Sequence, residues 1–209
     1  RHRFLKLNGR NIGKLMNKTK NFYNENAKEF FESTIDSNME KIYIRFENHL
    51  KKNDKILDLG CGSGRDSKYF KEKNFQVVSI DYSEELCKLA KENLNLDVIC
   101  MDIKNIDYFE EFNGIWACAS LLHIEKNKIL EVLNSCYTSL KKNGIIYVSF
   151  KYGTEEKEVG DRFFNFYEEE SFNSVIYQTK FNLKEFWTTD DVRETHKGEK
   201  WLNAILERN

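Results

Sequence analysis

An α/β architecture is what this sequence predicts: a doubly wound, Rossmann-like, mostly parallel sheet with helices on both faces and an antiparallel hairpin at its C-terminal edge. Three observations carry the prediction. Short apolar runs and amphipathic helical periods alternate five times between Ile56 and Phe150, the pattern of a parallel sheet covered on both sides. The runs are rich in β-branched and aromatic residues, as buried strands require. The first run ends in a glycine loop that leads directly into a helical period.

Taken in order, Ala27, Phe30 and Phe31 and then Met39, Ile42, Tyr43, Phe46 and Leu50 recur at spacings of three and four, which predicts two amphipathic helical pieces between Phe22 and Leu50. The five expected strands are Ile56 to Leu59, Phe75 to Ile80, Asp97 to Met101, Gly114 to Ala119 and Gly144 to Phe150. Helical periods separate them: Tyr69 and Phe70; Leu86, Leu89, Ala90 and Leu94; Ile129, Val132, Leu133, Cys136, Tyr137 and Leu140. Trp116, inside the fourth strand, reads as core. Phe181 to Trp187 and Trp201 to Leu206 read as two last strands around a polar loop.

A chain of 209 residues with 40% hydrophobic content suits one core, so one domain is expected over 16–209. It divides into a helical cap (16–52), a core (53–150) and elements that complete a pocket (151–209). No apolar run reaches the roughly 18–20 residues of a membrane span and no signal-peptide pattern follows the basic start, so a cytoplasmic protein is expected. Arg1, Arg3, Lys6, Arg10 and Lys14 give residues 1–15 five cations and no acid, leaving −6 on the remainder of a chain of net charge −1. That stretch reads as an appended remnant or a flexible basic tail, with Met16 opening a natural start. The acidic body lacks the phosphate attraction of a DNA binder. Five scattered cysteines, Cys61, Cys87, Cys100, Cys118 and Cys136, fit reduced core positions rather than disulfides or a metal site.

Ligands of open α/β sheets bind outside the carboxyl ends of the strands. Three acids fall on that rim: Asp58 before Gly60, Asp81 at the end of the second strand and Asp102 at the end of the third. Gly60, Gly62 and Gly64 allow a tight strand-to-helix turn and close approach of a ligand to the backbone. A pyrophosphate would meet Asp58 unfavourably, and position 65, where a dinucleotide loop prefers its third glycine, is Arg. A phosphate-free ligand carrying a sulfonium and an ammonium, S-adenosylmethionine, suits an acidic rim. Asp81 stands about twenty residues past the first glycine, the spacing at which an acid reaches ribose hydroxyls. The plainer alternative is that the glycines only turn the chain while the acids cap helices, with Ser83 the better cap beside Asp81.

Asp58-Leu59-Gly60-Cys61-Gly62-Ser63-Gly64, followed by Asp81 and Asp102, resembles the successive motifs of class I S-adenosylmethionine-dependent methyltransferases of the single-domain, small-molecule type. The resemblance spans about residues 22–209. It implies that Asp58, Gly60, Gly62 and Gly64, with Cys61, hold the methionine part of the cofactor. It further implies that Asp81 and Tyr82 hold the ribose, and that Met101, Asp102 and Ile103 lie by the adenine. Tyr23 resembles the N-terminal aromatic that closes over the cofactor. The product would be S-adenosylhomocysteine.

For the acceptor, His123 after the fourth strand has the pKa range of a base, or equally orients the acceptor or packs structurally. Lys151, Tyr152, Arg162 and Arg193 follow the fifth strand, where an acceptor pocket is expected. The cations either gather an anionic group or pair with nearby acids, and the second reading is preferred. An Asn/Asp-Pro-Pro-aromatic clamp is absent and the chain has no proline, which argues against base-amine and cysteine-dependent cytosine methylation. RNA acceptors and oligomeric state stay open. Methyl transfer to a small, anionic or neutral acceptor is therefore the leading expectation. A nicotinamide-dependent oxidoreductase and a non-catalytic cofactor-binding partner protein are the rivals.

Overall fold

The computed structural model describes residues 18–193 and 196–209; the basic stretch 1–15 lies outside the described residues. Residues 18–25 form helix α1, followed by α2 (Ala27–Thr34) and α3 (Glu40–Glu47). Asn26 separates α1 from α2 with φ −109° and ψ 19°, its amide and its side chain both donating to the Phe22 carbonyl (2.9 and 2.8 Å). The alternating core follows: β1 (Lys55–Leu59), α4 (Arg65–Glu72), β2 (Gln76–Asp81), α5 (Glu84–Leu94), β3 (Val98–Cys100), β4 (Phe112–Ala117), α6 (Ile129–Ser139) and β5 (Leu140–Tyr152). These strands run parallel in the order β3-β2-β1-β4-β5. All five strands and the helices between them stand where the periodicity put them.

The C-terminal third is richer than its sequence pattern suggests. β8 (Phe181–Asp190) and β9 (Lys200–Arg208) form the expected antiparallel hairpin, with β9 antiparallel to β5 from Ile145 to Lys151. A second hairpin, β6 (Glu156–Val159) and β7 (Arg162–Tyr167), and a helix α7 (Glu169–Ile176) fill the segment between. β4 ends its pairing with β5 at Val148, and β7 takes up the same edge at Lys151 and Tyr152. The new hairpin therefore stands beyond the carboxyl end of β4, on the rim where ligands bind. β6 carries Glu156, Lys157, Glu158 and Val159, all exposed, so it has no inward face for a hydrophobic alternation to mark.

Period-two alternation splits the sheet between two cores. Leu57, Leu59, Ile115, Ile146 and Val148 pack toward α6 and α7, while Ile56, Trp116, Ile145 and Tyr147 pack with Ile42, Tyr43 and Phe46 of α3 and Phe70 of α4. Of the five cysteines, Cys61, Cys87 and Cys136 are buried, Cys118 is half-buried and Cys100 is exposed. Cys100 thus corrects the core expectation, because β3 is the sheet edge and its residue faces outward. No described helix is long and apolar enough to cross a membrane.

Candidate active site

The glycine loop turns at Gly60 and Gly64, whose φ angles of +81° both lie in the left-handed region. A Cβ at Gly60 would stand 2.5 Å from Ser120 Cβ, and one at Gly64 would stand 2.6 Å from Leu96 Cδ1. The two glycines do different things. Gly60 lets the loop pass against the β4 exit, whereas Gly64 starts α4 and closes that helix against α5. Gly64→Ala is expected to cost about 1–2 kcal/mol from the left-handed backbone and overpacking, read as a lower urea midpoint with no loss of ligand affinity beyond that.

Four of the five loop amides are consumed within the protein. Gly60 and Cys61 donate to the Ile80 carbonyl (2.9 Å each), Gly64 to the Cys61 carbonyl (2.9 Å) and Gly62 to Asp81 Oδ2 (2.8 Å). Asp81 Oδ1 accepts from the Ser83 amide (2.9 Å). Burial pushes the Asp81 carboxyl above its ordinary pKa, against the pull of these amides. Each of its oxygens retains acceptor capacity toward the cleft, since a carboxylate oxygen takes about two donors.

The cleft, about 250 Å³, runs from this loop to β9. Tyr23, Gly60, Cys61, Gly62, Asp81, Tyr82, Asp102 and Ile103 line it, as do His123, Lys151, Arg162 and Arg193. Asp102 caps the turn at Ile103–Asn105, accepting from the Lys104 amide (3.0 Å). Ser120 Oγ, also on the wall, is buried with no hydrogen-bond partner among the described residues.

Residues 56–144 match the methyltransferase domain family, the segment that holds the loop, the β2 acid and the β3 acid. That segment is a methyltransferase domain. It is 32% identical to the YqeM protein of Bacillus subtilis over 116 residues, 50% of this chain and 47% of that relative; the chain thus spans about half the length of that relative. A carboxy-S-adenosyl-L-methionine synthase of Histophilus somni is 22% identical over 198 residues, 84% of this chain and 81% of the relative. The fold is that of the 1,6-didemethyltoxoflavin-N1-methyltransferase of Burkholderia thailandensis, solved with 1,6-didemethyltoxoflavin and S-adenosylhomocysteine. The TM-score is 0.79 at 16% identity, covering 100% of this chain and 93% of that one.

Four of the expected site residues, three from the cofactor motifs and one from the acceptor side, do not line the cleft. Asp58 is one residue out of phase with the rim: the alternation of β1 turns it under α4, where Ser67 Oγ donates to it (2.5 Å). Burial and the nearby Asp66 charge push its carboxyl well above the ordinary range. Gly64 serves helix packing, as above. Met101 packs against the larger core. Tyr152 pairs with Tyr167 of β7 at the end of β5, and its hydroxyl donates to Glu169 Oε2 (2.7 Å) on α7.

Two of the three acceptor-side cations have the acidic partners expected of them, and Arg162 does not. Lys151 pairs with Glu199, and Arg193 forms two bonds to Asp191 (3.0 and 2.8 Å). Arg162 has no carboxylate partner among the described residues; its guanidinium lies over the Phe22 and Phe164 rings (4.5 and 5.1 Å), and its Nε is buried and unbonded.

Periodicity missed Arg65 and Asp66, both on the cleft wall. Asp66 accepts from Arg65 Nε (2.6 Å) and Nη2 (2.9 Å), Tyr43 Oη (2.5 Å) and Trp116 Nε1 (2.8 Å). Their position directly after Gly64, in the first turn of α4, was the available signal. Asn203, also on the wall, accepts from the Tyr147 hydroxyl (2.7 Å); a polar residue inside the apolar run Trp201 to Leu206 marked it.

Proposed function

We propose that this chain binds S-adenosylmethionine in the cleft and transfers its methyl group to a small-molecule acceptor, leaving S-adenosylhomocysteine. The inward-turned glycine loop carries the reading. A dinucleotide's pyrophosphate needs free loop amides at a helix start, and here those amides are bonded to Ile80, Asp81 and Cys61 while the Asp81 carboxylate stands beside them. A phosphate-free ligand meets neither obstacle. Asp81 would accept from ribose hydroxyls and Asp102 would face the adenine. Ser120 Oγ offers its unused hydrogen-bonding capacity to a ligand passing over Gly60. When bound, the cofactor supplies a methyl group on a positively charged sulfur, and alignment of the acceptor for in-line displacement provides much of the acceleration.

The domain match alone does not decide the reaction, since one relative is named as a synthase of a carboxylated cofactor. The small-molecule acceptor is supported by the size of the cleft, about 250 Å³, and by the neighbour solved with 1,6-didemethyltoxoflavin. S-adenosylhomocysteine at millimolar concentration should raise the melting temperature measurably and NADH should not. No shift with S-adenosylhomocysteine, or an equal shift with NADH, defeats this reading.

A further inference from the structure

We infer that Tyr23 and His123 form a proton relay at the acceptor end of the cleft, and that the acceptor is therefore a planar ring carrying an ionisable O–H or N–H. This rests on the cleft being the methyl-donor site proposed above.

The hydrogen positions follow from the partners. His123 Nδ1 lies 2.7 Å from the Phe163 carbonyl oxygen, which can only accept, so Nδ1 carries the proton. Nε2 of the neutral ring is then an acceptor, and the Tyr23 hydroxyl, 2.9 Å away, donates to it. The imidazole has its tautomer set by backbone and its one lone pair committed to Tyr23. It reaches an acceptor only through the phenol.

Tyr23 occupies the junction of the two halves of the cleft. Its hydroxyl feels the Asp81 charge on the cofactor side and the Arg162 and Arg193 charges on the other, and burial keeps it a neutral phenol. Arg162, the cation on this wall without a described carboxylate, lies within reach of that hydroxyl and is held over Phe22 and Phe164. The rings of Phe164, Trp201 and Tyr147 line the same cavity, a setting for a flat partner.

In the reacting complex the acceptor atom gains the methyl group as the sulfonium S–C bond breaks and its electron pair returns to sulfur. The acceptor's proton passes to the Tyr23 oxygen while the Tyr23 proton passes to His123 Nε2. One cationic charge leaves the sulfur as another appears on the imidazolium, so the cleft's net charge is unchanged. The groups facing His123 are Tyr23 from α1, Lys151 from β5, and Arg162, the Phe163 carbonyl and the Phe164 ring from β7. Burial and the charges of Arg162 and Lys151 bring the imidazole down to about 4. An acceptor turning anionic in the same cleft offsets the charges of Arg162 and Lys151 and attracts the imidazolium that forms. A neutral tertiary amine would have no proton to give and no charge for Arg162 to meet. In these terms Tyr23 is the catalytic residue and His123 a positioning residue that acts through it.

Two probes test this: 4-nitrophenol, whose anion absorbs in the visible, and lumazine, a fused ring with acidic N–H. Each is titrated into protein saturated with S-adenosylhomocysteine, at a pH about one unit below the probe's own pKa. The wild-type protein is expected to bind both and to show the ionised 4-nitrophenol band. Tyr23→Phe, which keeps the ring that packs on Phe30, and His123→Gln should bind S-adenosylhomocysteine as before and lose the band. With S-adenosylmethionine, probe methylation in Tyr23→Phe should fall by about 10² at a pH two to three units below the probe's own pKa. It should recover as pH passes the probe's pKa, because a preformed anion needs no base. Absence of probe binding to the loaded protein, a neutral bound phenol in the wild type, or a band that survives Tyr23→Phe overturns the relay. Failure to bind S-adenosylhomocysteine at all defeats instead the function it rests on.

Discussion

Replacing Asp66 by alanine is expected to destabilise the fold by about 3–5 kcal/mol, the largest effect of any single change argued from this structure. The carboxylate is 6% exposed and takes four donors from three elements: Arg65 of α4, Tyr43 of α3 and Trp116 of β4. Removing it leaves a cation, a phenol O–H and an indole N–H facing one another without an acceptor. The lower end of the range is favoured because the Arg65 side chain, 17% exposed, can turn toward water in the cleft. Burial alone would raise the Asp66 carboxyl, but Arg65, Tyr43 and Trp116 together hold it below the ordinary carboxylate range. A depressed pKa contributes stability that is present above the unfolded value and lost as pH falls through the folded one. Urea unfolding at neutral and acid pH should therefore show a large gap between wild type and Asp66→Ala that narrows on acidification. A gap under about 1 kcal/mol at neutral pH would mean that the cluster does not tie the helical cap to the sheet.

Asp81→Ala is expected to weaken S-adenosylhomocysteine binding by about 1.5–3 kcal/mol, through loss of charge-assisted hydrogen bonds. The side chain acts twice, because the oxygens that would meet the ribose also hold the Gly62 and Ser83 amides. Asp81→Asn preserves one accepting oxygen and should fall between the two. Since burial raises the Asp81 carboxyl, its anion is lost at a higher pH than an ordinary aspartate's. Affinity should accordingly decline on acidification earlier in the wild type than a normal carboxylate would allow, and Asp81→Ala should lack that limb. Calorimetric titration reads both effects, and an unchanged dissociation constant in Asp81→Ala would remove Asp81 from the cofactor site.

The rim reading of three acids survives in altered form. Asp81 and Asp102 reach the cleft, as their places at strand ends suggested. Asp58 does not, because a β-strand sends successive side chains to opposite faces and this one falls under α4 beside Ser67 and Ser79. What disfavours a pyrophosphate is therefore the consumption of the loop amides and not the charge of Asp58. That consumption belongs to the folded chain alone, because backbone hydrogen bonds leave no trace in residue identity.

The acceptor end shows the same division. Lys151, Arg162 and Arg193 are equally plausible cations in the sequence, yet two are neutralised by Glu199 and Asp191, while Arg162 rests on aromatic rings. Tyr23 and His123 are 100 residues apart, so no local spacing could join them. The hairpin β6–β7 that supplies Arg162 and the Phe163 carbonyl was itself invisible to periodicity, its outer strand being exposed throughout.

By itself, then, the sequence determined the layers of this protein: five parallel strands with their helices, the closing hairpin, the glycine turn and the placement of two acids on its rim. Hydrophobic burial is encoded locally, residue by residue, in periods of two and 3.6. The tertiary structure alone decided which charges face the cleft, which are spent on neighbours, and which distant pair shares a proton. Those outcomes depend on desolvation and on partners brought together across the fold, and neither is a property of any segment taken alone.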